Sequence, residues 1–206
     1  MIKNIVFDLG NVLIDYNPRR IVNAVFTNEA EQDFFYREIF LTNAWKQLDQ
    51  GVITFDDHYQ NLVTRFPPYA KEIGWILDNW HKDLPPIPGM FNVVETISSA
   101  GYDLYILSNA SMRYYTYALS KFHIFDFFKG ISVSAELKLI KPQKEIYDRF
   151  CQIHDLSPEE CLFFDDQEKN IQGAINAGWQ ARKFTNTKDL TKYLQENLGI
   201  QFQIDP

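Results

Sequence analysis

Asn4-Ile5-Val6-Phe7-Asp8-Leu9-Gly10-Asn11 is the stretch from which the rest of the chain is read. Its apolar run is too short for a helix and stops at an acid. Such a run predicts a strand buried on both faces, as in a parallel sheet. Working outward, the pattern repeats. Residues 102–107 form a second run, ending at Ser108-Asn109. Residues 130–133 form a weaker third, and residues 161–164 a fourth, ending at Asp165-Asp166. Residues 179–184 form a fifth.

Helical patterns separate these runs, at residues 89–100, 112–121, 142–154, 168–177 and 187–198. Pro142 is expected in a first helical turn, where its missing N–H does no harm. Gly178 and Gly199 are expected helix stops. Ser157-Pro158-Glu159-Glu160 has capping-box spacing and is expected to open a short helical turn before the fourth strand. Strands alternating with helices predict right-handed βαβ units. The expected fold class is therefore α/β: a Rossmann-like open, mainly parallel sheet with helices on both faces.

One segment breaks the rhythm. Between the first strand and the next core helix the chain reads as several helices, with N-cap spacing at Thr54-Phe55-Asp56-Asp57, punctuation at Pro67-Pro68, and a stiff return at Pro85-Pro86-Ile87-Pro88-Gly89. The expected layout is an α/β core of residues 1–15 and 86–206 and a small all-helical cap of residues 16–85.

Composition narrows the function. Apolar residues make up 46% of the 206 and charged residues 23%, which supports a packed core rather than disorder. The formal net charge is −7 and no basic run is present, which disfavours nucleic acid as a partner. Cys151 and Cys161 lack a companion Cys/His cluster and are expected to be reduced structural thiols. No apolar stretch approaches a membrane span. The expectation is a soluble cytoplasmic protein without a membrane or nucleic-acid partner, a monomer or weak homodimer.

Asp8, Ser108-Asn109, Lys141 and Asp165-Asp166 all fall at element ends, where an open α/β sheet builds its site. Singly, each is ordinary turn or cap chemistry. Together they form a coherent set. Converging carboxylates need a cation between them, and a hard oxygen-liganded ion such as Mg²⁺ fits. A carboxylate beside that ion can attack phosphorus. Lys141 supplies fixed positive charge, while Ser108, Asn109 and local backbone N–H groups supply donors.

These residues resemble the haloacid dehalogenase-like superfamily of phosphatases. Phe7-Asp8-Leu9-Gly10-Asn11-Val12-Leu13-Ile14-Asp15 matches its first motif, Leu107-Ser108-Asn109 its second, Lys141-Pro142 its third and Phe163-Phe164-Asp165-Asp166 its fourth. The resemblance implies that Asp8 is the nucleophile and a Mg²⁺ ligand, with the Gly10 carbonyl and Asp166 as further ligands. It implies that Asp165 holds a metal-bound water or orients Lys141, and that Ser108, Asn109 and Lys141 bind the transferred phosphoryl group of a small phosphorylated substrate.

Gly10 departs from the usual pattern, which has a second Asp there as general acid and base. Losing such a group typically costs about 10²–10⁴-fold in rate. The Asp-Leu-Gly-Asn-Val version resembles a bacterial subgroup of sugar-phosphate phosphatases, including α-D-glucose-1-phosphate phosphatase, that also lacks it. Asn11 and Asp15 are polar neighbours, and Asp15 reads as a helix or loop cap. Tyr16 is the hinge residue best placed to touch substrate. Trp45, His58, Trp75, Trp80 and His81 read as packing or surface residues. Two alternatives remain: a metal-independent 2-haloacid dehalogenase, and a phosphate-binding regulatory module with weakened turnover.

Overall fold

The computed structural model describes residues 1–202. Five strands, β1 (Asn4–Phe7), β2 (Asp103–Ser108), β3 (Gly130–Val133), β4 (Cys161–Asp165) and β5 (Gln180–Lys183), form one sheet in the order β3-β2-β1-β4-β5. Every pairing is parallel. β1 is buried along its whole length, as its apolar run requires. β5 is an edge strand, mostly exposed and shorter than residues 179–184 suggested.

The period-two alternation sorts the core into two layers. Ile5, Phe7, Leu104, Ile106, Leu162 and Phe164 face one side of the sheet. Val6, Tyr105, Leu107, Cys161 and Phe163 face the other. Each large apolar side chain buried this way contributes about 1.5–3 kcal/mol.

Between β1 and β2 lie six helices: α1 (Arg19–Val25), α2 (Glu29–Phe40), α3 (Asn43–Asp49), α4 (Phe55–Arg65), α5 (Ala70–Asn79) and α6 (Met90–Ser99). α4 opens with a full capping box, Thr54 and Asp57 each satisfying the other's backbone N–H. The chain leaves and re-enters the sheet region side by side: the Asp15 N–H donates to the Pro85 carbonyl at 2.8 Å, and the Ile87 N–H to the Leu13 carbonyl at 2.9 Å. α1 to α5 occupy the excursion between those contacts.

The remaining helices are α7 (Met112–Lys121), α8 (Ser134–Leu137), α9 (Lys144–His154), α10 (Glu168–Asn176) and α11 (Thr187–Leu198). Met90, Val94, Leu190 and Leu194 of α6 and α11 cover one face of the sheet. Ile146, Tyr147, Phe150, Ile171 and Ala174 of α9 and α10 cover the other. Gly178 and Gly199 stand at positive φ of 89° and 70°, as expected of helix stops.

Three local expectations are corrected. Pro142 does not open α9, which starts at Lys144 after Gln143. Both backbone groups of Lys141 are held by Asn109, so the chain there is tied to the end of β2 before it can turn into a helix. The short helical turn expected at Ser157-Pro158-Glu159-Glu160 is present as a 3₁₀ turn over Pro158–Glu160, but the Ser157 backbone carbonyl closes it and the capping-box side chain does not. Asp15 caps no helix and pairs with Arg20.

Candidate active site

β1 lies at the centre of the sheet, with β2 on one side and β4 on the other, so the strand order reverses there. In open α/β sheets this reversal leaves a crevice beyond the carboxyl ends of the strands. The registers Phe7↔Ile106 and Phe7↔Phe164 carry Asp8, Leu107-Ser108 and Asp165-Asp166 to the same rim. A cavity of about 400 Å³ opens on it, lined among others by Asp8, Gly10, Ser108, Asn109, Lys141 and Asp166.

Lys141 organises this rim. Its ammonium is buried, donating to the Leu107 carbonyl at 2.8 Å and Asp165 Oδ2 at 2.7 Å, and lies 3.0 Å from Asp8 Oδ1. Asp8 Oδ1 also accepts the Leu9 N–H at 2.7 Å. Asp165 is fully buried, and its Oδ1 accepts the Gln167 N–H at 2.8 Å and Asn170 Nδ2 at 3.0 Å. Asn11, at φ 58°, accepts the Tyr16 N–H through Oδ1 and reaches Asp166 Oδ2 through Nδ2 at 3.3 Å.

Asn109, expected to donate to a phosphoryl group, uses its side chain differently. Oδ1 accepts the Lys141 N–H at 2.9 Å and Nδ2 donates to the Lys141 carbonyl at 3.1 Å. One Nδ2 proton is left over. Ser108 is buried at the rim, with its side chain on the cavity.

One oxygen each of Asp8, Asp165 and Asp166 lies within 4.8 Å of the others. Three carboxylates beside a single ammonium leave the cluster short of positive charge. The shortage is visible in the acids themselves. Burial pushes the Asp8 carboxyl up to about 7; Lys141 opposes this and Asp165 adds to it. Burial also raises Asp166, with the charge of Asp165 adding to it. Asp166 Oδ1 is buried and has no hydrogen-bond partner among the described residues. A hard divalent cation fits a donor set of this kind: acidic, oxygen-only, with one oxygen unused.

The profile of the haloacid dehalogenase-like hydrolases matches residues 2–178 of the chain. The chain belongs to this family. This haloacid dehalogenase-like hydrolase is 25% identical over 197 residues to a sesquiterpene phosphatase of Aspergillus oryzae, covering 96% of this chain and 97% of the other. It is 26% identical over 203 residues to a D-ribitol-5-phosphate phosphatase of Bacteroides thetaiotaomicron, covering 92% and 95% respectively. Its fold superposes with a TM-score of 0.73 on a family enzyme from Bacteroides thetaiotaomicron solved with magnesium and inorganic phosphate, at 23% identity and covering 94% of this hydrolase and 99% of that chain. No helix among the described residues is long and apolar enough to cross a membrane.

The far wall of the cavity was not foreseen as a whole. Tyr16 lies there as expected, but so do Trp45, Asp49, Trp80 and Tyr114. Trp45 and Trp80 were read as packing residues; both are buried, and both also face the cavity. Asp49 and Tyr114 carried no motif; Asp49 is placed by α3, which is tied to α8 through Ser134, and Tyr114 by α7.

Proposed function

We propose that this hydrolase is a Mg²⁺-dependent phosphomonoesterase that acts on a small phosphorylated metabolite, a sugar phosphate foremost, through an aspartyl-phosphate on Asp8. The observation that carries this reading is the rim itself: a buried ammonium set between Asp8 and Asp165, beside an Asp166 oxygen with no partner among the described residues. A metal-independent dehalogenase would leave three clustered carboxylates facing one lysine.

In the proposed cycle Asp8, Asp166 and the Gly10 carbonyl hold the ion, with Asp165 behind them. When bound, the ion neutralises charge on the nucleophile and on the phosphoryl oxygens. Asp8 Oδ1 is fixed by the Leu9 N–H and by Lys141, which leaves Oδ2 to attack. Ser108 and the spare Asn109 proton receive the phosphoryl oxygens. Lys141 acts as a fixed charge, since its protons already have protein partners. Residues 16–85 act as the cap that closes over the leaving group and excludes water.

The test is phosphate release from p-nitrophenyl phosphate and a panel of sugar phosphates, with Mg²⁺ and with EDTA. Turnover is expected only with the metal, and Asp8→Asn abolishes it. Folded, Mg²⁺-loaded protein that releases no phosphate from the panel overturns the proposal. Metal-independent halide release from 2-chloropropionate would replace it with the dehalogenase.

A further inference from the structure

Gly10 leaves the proposed reaction without its usual proton donor. A Cβ built there meets Tyr16 Cβ at 3.4 Å, an ordinary van der Waals contact, so the position lacks an acid by sequence and not by crowding. The donor must come from elsewhere in the cavity.

The wall offers few acids. Lys46 and Lys169 line the cavity but are exposed to solvent, with no burial to hold either in place over the rim. Tyr16 and Tyr114 are phenols, and burial drives both further up. Asp8, Asp165 and Asp166 belong to the rim. Asp49 remains, at the C-terminal end of α3 and in the lining of the cavity.

Asp49 is held firmly for a residue on the helical segment. Ser134 Oγ donates to its backbone carbonyl. The following turn is bound to the core as well: Gln50 Nε2 donates to the Lys138 carbonyl at 3.0 Å, and Lys138 Nζ to the Gly51 carbonyl. Ser111, three residues beyond the Ser108 that ends β2, lines the same cavity as Asp49. Burial holds the Asp49 carboxyl well above the usual carboxylate range; Ser111 offsets part of the rise and the charge of Asp8 adds to it. A neutral carboxylic acid over a phosphoryl site can donate a proton.

We propose that Asp49 is the general acid and base of this enzyme, supplied by α3 in place of the side chain absent at Gly10. The assignment rests on the phosphohydrolase reading above. In the first step an Asp8 oxygen bonds to phosphorus, the bond from phosphorus to the leaving oxygen breaks, and its electron pair stays on that oxygen. The Asp49 proton moves to the same oxygen, so an alcohol departs and Asp49 becomes a carboxylate. In the second step Asp49 takes a proton from a water as its oxygen bonds to phosphorus. The acyl–phosphate bond breaks, Asp8 regains its carboxylate, phosphate leaves and Asp49 is again neutral.

The test compares two esters of similar shape whose leaving groups differ in basicity, phenyl phosphate and p-nitrophenyl phosphate. The Asp49→Asn and Asp49→Ala variants are measured in parallel with wild type in Mg²⁺. For phenyl phosphate, kcat/KM is expected to fall by about 10²–10⁴-fold, while for p-nitrophenyl phosphate, whose leaving group needs no proton, it stays within about ten-fold. A partly unfolded sample lowers both values equally, so the ratio reports the acid and not the fold. Equal losses on both esters, or no loss on either, overturn the role of Asp49 while leaving the hydrolase reading intact. A wild type inactive on both esters and on the sugar phosphates overturns the two together.

Discussion

Replacing Lys141 with Met tests whether the rim is held by one buried charge. Met preserves much of the volume and all of the apolar contact, so the change isolates the ammonium. In the wild type that ammonium serves the Leu107 carbonyl at 2.8 Å, Asp165 at 2.7 Å and Asp8 at 3.0 Å, all out of water. Removing one partner of a buried ion pair typically costs about 3–5 kcal/mol, because the remaining charge is uncompensated. Domains commonly hold only about 5–15 kcal/mol in total, so Lys141→Met should be folded but marginal.

The cost should depend on pH with a definite sign. The folded-state pKa of Asp8 lies near 7, above the unfolded value of 3.8, so between those values the folded state binds the extra proton. Stability linked to Asp8 is therefore complete below 3.8 and is lost as pH rises through about 7. Lys141 lowers the Asp8 value, so its removal extends the loss upward. The deficit of the variant is expected to be smallest near pH 5 and to widen above pH 7. The assay is equilibrium urea unfolding in EDTA across that range. Asp165→Leu and the double variant complete the cycle, and the double should cost about 2 kcal/mol less than the two singles together. A deficit below about 1 kcal/mol, the scale of an exposed pair, refutes the reasoning.

Three further outcomes follow. Mg²⁺ at a hundred times its dissociation constant should raise the unfolding free energy by about 2.7 kcal/mol, and Asp166→Asn should abolish that gain; thermal melts with and without the ion report both. Gly51→Ala should loosen the junction of α3 with the core, because Gly51 sits at φ +70° and a Cβ there meets the Ala135 carbonyl oxygen at 2.3 Å. A loss of about 1–3 kcal/mol on urea unfolding is expected, and wild-type stability would contradict it. Burial, aided by Arg113, pulls His81 down from 6.5 to about 4, so its stability contribution is complete above 6.5 and declines as pH falls toward 4. His81→Leu should flatten the stability profile there by at most about 1.4 kcal/mol per pH unit, and an unchanged slope would exclude His81 as a source of the dependence.

The core and its rim were legible because they rest on short-range pattern and topology. A run of apolar residues ending in an acid suffices to predict β1 and Asp8, and the registers beside β1 bring the other motifs alongside. The positions around Lys141 were less legible. Asn109 looks like a substrate donor in sequence, since a Ser-Asn pair after a strand gives no hint of a partner; in space both ends of its amide clamp the Lys141 backbone. The same clamp explains why Pro142 lies before α9 and not in it.

The cavity's far wall was illegible for a different physical reason. Asp49 sits in an ordinary short helix two residues before Gly51, and nothing in the local pattern marks either residue. Their meaning comes from a contact with a segment 85 residues away, where Ser134 donates to the Asp49 carbonyl, and from a turn so close to Ala135 that no Cβ fits. Local pattern carries no record of such an approach. The residues proposed to hold a phosphoryl group and an ion at the ends of strands can thus be read from strand endings alone. Those proposed to meet the leaving group stand on a helical segment tied to the core by long-range contacts such as Ser134 to Asp49. Gly10 alone suggests a weakened site. Under the proposal above, Gly10 with Asp49 on α3 lining the same cavity describes a site whose acid is supplied by the helical segment.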